Sequence, residues 1–196
     1  MYNHMKKDSD TLKCKILDEA VLLFIEKGIQ NVTTRELTEC MGISRSHIYH
    51  YFDNWQTLCL EAVTVFVLND LHQVRASLTP LMAKEKLDIV FHNYIPDSTD
   101  AVWQIYSDLW HQAAHSEAWA KLALTMLQRW ENLLGEVITA GIAEGIFNTE
   151  APGRVTRQLS ALLNGYADKL IVSLSPRDRQ IAFDDINHFI ALALFN

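Results

Sequence analysis

Thr33-Thr34-Arg35-Glu36-Leu37-Thr38-Glu39-Cys40-Met41-Gly42-Ile43-Ser44-Arg45-Ser46-His47-Ile48-Tyr49-His50-Tyr51-Phe52 is the stretch that decides the fold. Thr33 carries an oxygen that can accept from the free N–H groups at a helix start, and Glu36 three residues on completes a capping box. A short helix therefore opens here and runs through Met41, where Gly42 stops it. Ser44 is the next N-cap, and a second short helix runs from Arg45 to about Tyr51 before Asp53-Asn54 interrupts it. Two short helices joined by a tight turn containing Gly form a helix-turn-helix.

Upstream, Ile16, Ala20, Leu23 and Phe24 recur at three- and four-residue steps, which predicts an amphipathic helix over 11–27 with Gly28 as its C-cap. Downstream, a long helix is predicted from residue 55 or 56 to about 78, through Leu58, Ala62, Val65 and Phe66, stopping at Pro80. Further apolar periodic segments cover about 80–94, 99–114, 117–144, 153–174 and 177–194, separated by Pro96-Asp97-Ser98, His115-Ser116, residues 145–152 and Ser175-Pro176. The expectation is an all-α protein of about nine helices, with a three-helix helix-turn-helix domain over 1–54 and a larger helical domain over 55–196.

Composition agrees with this. Of 196 residues, only 7 are Gly and 4 Pro, too little turn punctuation for an all-β sandwich or barrel. Apolar residues at 49% and charged residues at 21% are those of a globular chain. No apolar run approaches a membrane span and residues 1–10 lack a signal-peptide centre, so a cytosolic protein without a membrane partner is expected. Cys14, Cys40 and Cys59 lack any Cys-x-x-Cys spacing and read as reduced and structural. The net charge of −7 argues mildly against a nucleic-acid partner. Residues 1–75 hold eight basic against ten acidic side chains, so any DNA contact has to come from a local surface.

The run from Thr33-Thr34-Arg35-Glu36-Leu37 through Gly42-Ile43-Ser44 to Ile48-Tyr49-His50-Tyr51-Phe52 and Leu58 resembles the DNA-binding domain of the TetR family of bacterial regulators, over about residues 11–60. Around Trp103 to Trp130 there is a looser similarity to the choline-responsive BetI-like branch. Two positions depart from the family pattern. Trp55 stands where a Lys commonly opens the fourth helix, which removes a phosphate contact unless Trp55 is simply part of the core, and Thr38 stands where Ala is common.

A recognition helix sets its first residues against base edges in the major groove while its surroundings hold phosphates. Arg45 is the natural base reader, since its fork can bridge guanine O6 and N7. Ser46, His47 and His50 lie on the first two turns, with Ser44 at the N-cap, and can add base or phosphate hydrogen bonds. Thr33 and Thr34 at a helix start, and Tyr49, are the remaining phosphate contacts expected. Leu37, Ile48, Tyr51 and Phe52 read as core.

In the larger domain Trp103, Tyr106 and Trp110 share one helix face, and Trp119, Met126, Trp130 and Val137 form a stripe on the next long helix. Such stripes build a bundle core, yet Trp103, Tyr106, Trp110 and Trp130 can also line a cavity for a planar or cationic effector. Asp108 and Glu131 could balance a cation's charge or simply be solvated. His111 and His115 share a face, but Gln112 stands where a zinc protease carries its Glu, and no metal or cofactor is expected. No phosphate loop, nucleophile elbow or Cys/His nucleophile setting appears, so no enzyme is expected. Val155, Leu159, Leu162, Leu163, Tyr166 and Leu170, then Ile181, Ile186, Phe189, Ile190, Ala193 and Leu194, form stripes that serve either a monomer core or a homodimer. The resemblance implies the homodimer. It also implies a repressor that leaves a palindromic double-stranded operator when a small molecule binds, the alternative being a ligand-independent DNA-binding or interaction module.

Overall fold

A computed structural model of the chain describes residues 2–95 and 101–195, with the backbone alone for 2–10 and 101. Among these residues lie nine α-helices: α1 (Tyr2–Lys27), α2 (Thr34–Met41), α3 (Arg45–Tyr51), α4 (Trp55–Ser77), α5 (Ala83–Tyr94), α6 (Ala101–Ala113), α7 (Glu117–Ala143), α8 (Pro152–Val172) and α9 (Pro176–Leu194). A 3-10 turn at Ile29–Asn31 follows α1. The all-α expectation holds, while the predicted break at Pro96-Asp97-Ser98 lies outside the described residues. α1 starts nine residues earlier than its apolar pattern, and α5 starts at Ala83 rather than residue 80 because Glu85 accepts the Met82 N–H at 3.0 Å and so caps the helix there.

The described chain divides into two compact units. The first comprises Met1–Asn69 and Gln104–Ala123, the second Asp70–Trp103 and Leu124–Asn196. In the first, Ile16, Ala20 and Phe24 of α1, Leu37 of α2, Ile48 of α3 and Leu58 of α4 are fully buried, as are Ile105 and Leu109 of α6. Thr38 is buried with its hydroxyl donating to the Arg35 carbonyl at 2.8 Å, so it sits in that core with its polar atom satisfied.

In the second unit Leu87 and Val90 of α5, Met126, Leu134 and Ile138 of α7, Leu159 and Leu163 of α8, and Ile186 and Leu194 of α9 form the core. The end of α7 is tightly wound. Gly145 at φ 71° closes the helix, and the Ile146 and Phe147 N–H groups both donate to the Gly141 carbonyl, at 2.9 and 3.0 Å. The Phe147 ring thereby lies on Gly141, where an added Cβ would stand 2.0 Å from a ring carbon. Phe147 meets Phe195 edge-on at 5.4 Å between centroids, and the Asn148 N–H donates to the Leu194 carbonyl at 2.8 Å, so the end of α9 is tied to the α7–α8 connection.

Candidate nucleic-acid interface

The caps position the helix-turn-helix as its sequence requires. Thr33 Oγ1 accepts the Glu36 N–H at 3.3 Å. The reciprocal half of the box is weak, because the Glu36 carboxylate is drawn mainly to Lys27 Nζ. That ion pair holds the Glu36 carboxyl below its usual range, with the Thr33 N–H a minor contributor. Gly42, at φ 64° and ψ 30°, supplies the left-handed turn between α2 and α3. At the start of α3 the Ser44 N–H donates to His47 Nδ1 at 3.3 Å, and Ser44 Oγ lies 2.7 Å from the same nitrogen and 2.6 Å from Ser46 Oγ. His47 thus stands where a Glu or Gln normally closes a capping box. With Nδ1 accepting, the neutral ring carries its proton on Nε2 and keeps that N–H as its donor.

Burial sorts the residues of α3. Ile48 is fully buried and Phe52 nearly so, while Ser44, Arg45, Ser46, His47, Tyr49 and His50 are all exposed. Tyr51, expected in the core, is only half-buried, with its ring edge-on to His50 at 4.9 Å. Thr33 is exposed and Thr34 half-buried, and Thr34 Oγ1 lies 3.5 Å from the Tyr49 hydroxyl. The expected DNA-facing set therefore gathers around the start of α2 and the outer face of α3. Its charges are largely self-neutralised: Lys13 pairs with Glu61, Lys27 with Glu36, and Arg35 with Glu39. Neither Arg45 nor Lys15 makes an ion pair among the described residues, and Arg45 is the one carried by α3.

Trp55 opens α4 half-buried, its ring edge-on to Phe24 of α1 at 6.3 Å. This contact favours packing over a missing phosphate ligand. Trp55→Lys is therefore expected to lower the melting temperature through loss of aromatic contact, about 0.5–1.5 kcal/mol beyond area burial. The slope of log affinity against log salt is expected to stay unchanged. A slope steeper by about two per dimer, roughly 0.9 for each phosphate gained, would instead identify a phosphate site.

In the first unit Tyr106 is buried and meets the half-buried Trp110 at 6.0 Å. In the second, Trp103 is half-buried, and the buried Trp130 meets Tyr94 edge-on at 5.5 Å. Tyr94 was not singled out by the sequence, since it ends its own helix rather than joining a stripe. Burial, and then the charge of Glu131, push its phenol above the ordinary range. Trp119, Met126 and Val137 are core. Asp108 is half-buried, and its carboxylate accepts the Ile29 N–H at 2.8 Å.

The candidate dimer stripes are largely consumed within the protomer. Val155, Leu159, Leu163 and Leu170 of α8 and Ile186, Ile190 and Leu194 of α9 are buried, leaving Leu162, Tyr166, Ile181, Phe189 and Ala193 partly or wholly accessible. Tyr166 donates to Asp185 across the two helices, which raises its phenol pKa. Cys14 and Cys40 are exposed rather than structural; Cys59 is buried, its thiol pushed up to about 12 by burial. His111 and His115 are exposed with ring centroids 5.6 Å apart, and no group of three or more metal-capable side chains occurs among the described residues. No described helix is long and apolar enough to cross a membrane.

A helical chain with a Gly-turned helix pair, a buried inner face and an exposed polar outer face on the second helix belongs to the helix-turn-helix DNA-binding proteins. Residues 16–62 match the family of bacterial regulatory proteins called tetR, and residues 83–192 match the C-terminal region of BetI-type transcriptional repressors. The chain belongs to the TetR family of transcriptional regulators, in its BetI-type branch. It is 28% identical over 143 residues to the HTH-type transcriptional repressor KstR2 of Rhodococcus jostii, covering 70% of this chain and 69% of that one. It is 24% identical over 180 residues to the probable HTH-type transcriptional regulator ArpR of Pseudomonas putida, covering 87% and 83%. The fold is shared with a transcriptional regulator from Saccharomonospora viridis solved in complex with choline, at TM-score 0.81 and 21% identity, covering 94% of this chain and 98% of that one.

Proposed function

We propose that the protein is a homodimeric transcriptional repressor that reads a palindromic operator with Arg45 and leaves it when a small organic molecule binds. Residues 1–54 form the DNA-binding domain and residues 55–196 the effector and dimerisation domain. The observation that carries this reading is α3 itself: Ile48 is fully buried while Arg45, Ser46, His47, Tyr49 and His50 are exposed together. Arg45 reads a base edge, His47 offers a fixed N–H donor, and Thr33, Thr34, Ser44, Ser46, Tyr49 and His50 hold phosphates or add base contacts. Two such helices in a twofold dimer read two half-sites one helical turn apart.

A planar or cationic effector is supported by the aromatic side chains that each unit holds, Tyr106 and Trp110 in the first and Trp103 and Trp130 in the second, and by the choline found with the Saccharomonospora viridis protein. Such a molecule need only favour the head spacing that does not match DNA, because reciprocal coupling then lowers operator affinity. The reading requires no cofactor and no catalytic step, and places the protein in the cytoplasm with its DNA. Arg45→Ala is expected to weaken binding to a duplex selected by the wild-type protein by about 1–3 kcal/mol without altering the fold. Unchanged affinity at fixed salt would remove Arg45 from this role.

A further inference from the structure

The junction between α1 and α2 is held by a residue from far along the chain. α1 ends at Lys27, Gly28 turns the backbone at φ 80° and ψ 146°, and Ile29 opens the 3-10 turn. Gly28 occupies the N-cap of that turn and has no side chain with which to cap it, while Ile29 is buried, so its N–H needs a partner from elsewhere. That partner is the Asp108 carboxylate of α6, 79 residues away, at 2.8 Å. The carboxylate lies against the glycine backbone, 3.7 Å from where a Cβ would stand. The rest of the turn is closed locally: the Asn31 side-chain amide donates to the Lys27 carbonyl at 2.8 Å, and the Asn31 N–H donates to the Gly28 carbonyl at 3.1 Å. Extended Val32 and the N-cap Thr33 follow, so the direction in which α2 leaves depends on this turn, and α3 follows through the Gly42 turn.

We infer that Asp108 is a positioning residue for operator binding, supplying from α6 the cap that the α1–α2 junction lacks. It acts through the geometry of the helix-turn-helix and not through contact with DNA. The inference rests on the reading of α3 as the DNA-facing helix. Charge and geometry predict opposite signs here, which makes the role separable. Removing an anion from a DNA-binding unit tightens binding if only its charge matters. Removing the cap loosens it.

The test uses full-length protein and a duplex selected by the wild type, measured well below the melting temperature. Asp108→Ala is expected to bind roughly tenfold more weakly, the scale of one lost charge-assisted hydrogen bond, with exchange of the Ile29 amide accelerated by about as much. Asp108→Asn keeps an acceptor in the same place and is expected to stay within about threefold of wild type on both readouts. Asp108→Glu keeps charge and helix propensity but displaces the acceptor by one methylene. It is expected to resemble Asp108→Ala, and it carries the test should the alanine variant not fold. The salt dependence is expected to be the same in all. Equal or tighter binding by Asp108→Ala or Asp108→Glu with an unprotected Ile29 amide overturns the inference, as does Asp108→Asn binding as weakly as Asp108→Ala. Arg45→Ala is the control: if it weakens binding and the Asp108 variants do not, the positioning role fails alone. If Arg45→Ala has no effect either, the assignment of α3 fails as well.

Discussion

Gly141→Ala is expected to lower the melting temperature by roughly 6–12 °C, because about 3 kcal/mol is lost and each kcal/mol is worth roughly 2–4 °C in a chain of this size. The cause is local. A Cβ at this position would stand 2.0 Å from the Phe147 ring, far inside van der Waals contact, and Phe147 is nearly fully buried. Helix α7 is held by its own hydrogen bonds and by the double bond from Ile146 and Phe147 to the Gly141 carbonyl, so the ring has to move. It then surrenders its contact with Phe195 and much of its burial. Phe147→Ala alone is expected to cost about 3–5 kcal/mol. The two substitutions are expected not to add, since the ring that the methyl group displaces is already gone in the double variant. Additive losses in thermal or denaturant unfolding would mean that Gly141 matters for some other reason.

Truncation after Ser175 is expected to abolish a soluble folded protein. The deletion removes α9, and with it Ile186, Ile190 and Leu194, all buried. At about 1.5–3 kcal/mol for each large apolar side chain, their loss alone approaches about 5–9 kcal/mol. That is comparable with the whole stability of an ordinary domain, about 5–15 kcal/mol. The apolar face of α8 that packs on them becomes a sticky surface, and the anchor from Asn148 to Leu194 disappears. Aggregated or unfolded material by light scattering and circular dichroism is the expected outcome. A well-behaved monomer that still binds the operator would show that α9 serves the dimer and not the protomer.

The helix-turn-helix was legible because its signals are local: Thr33, Gly42 and Ser44 each act on backbone within four residues of themselves. The start of α1 was not, because 2–10 are helical without an apolar stripe to announce them. The stripes on α8 and α9 are apolar faces in sequence and structure alike, but periodicity reports that a face is buried and not against what. Phe189 and Ile186 look alike in the sequence, and only packing distinguishes the half-buried residue from the core residue. Glu36 fits a capping box, but the nearness of Lys27 across the α1–α2 junction draws its carboxylate away. The partners of Asp108 and Tyr94 lie beyond reach for the same reason, since Ile29 and Trp130 are remote in the chain.

The pairing of Lys13, Lys27 and Arg35 with their own carboxylates bears on how the protein finds its site among the rest of the chromosome. Random DNA holds a regulator almost entirely through cations, and a genome offers about a million to a billion such decoy positions. In a chain of net charge −7 with Lys13, Lys27 and Arg35 each beside a carboxylate, that trap is expected to be shallower. On the proposed reading of α3, discrimination rests on the hydroxyls, imidazoles and the Arg45 guanidinium, groups that gain little from a phosphate row without the right bases between. On that reading fewer copies per cell are needed to keep an operator occupied, because fewer are lost to the decoys.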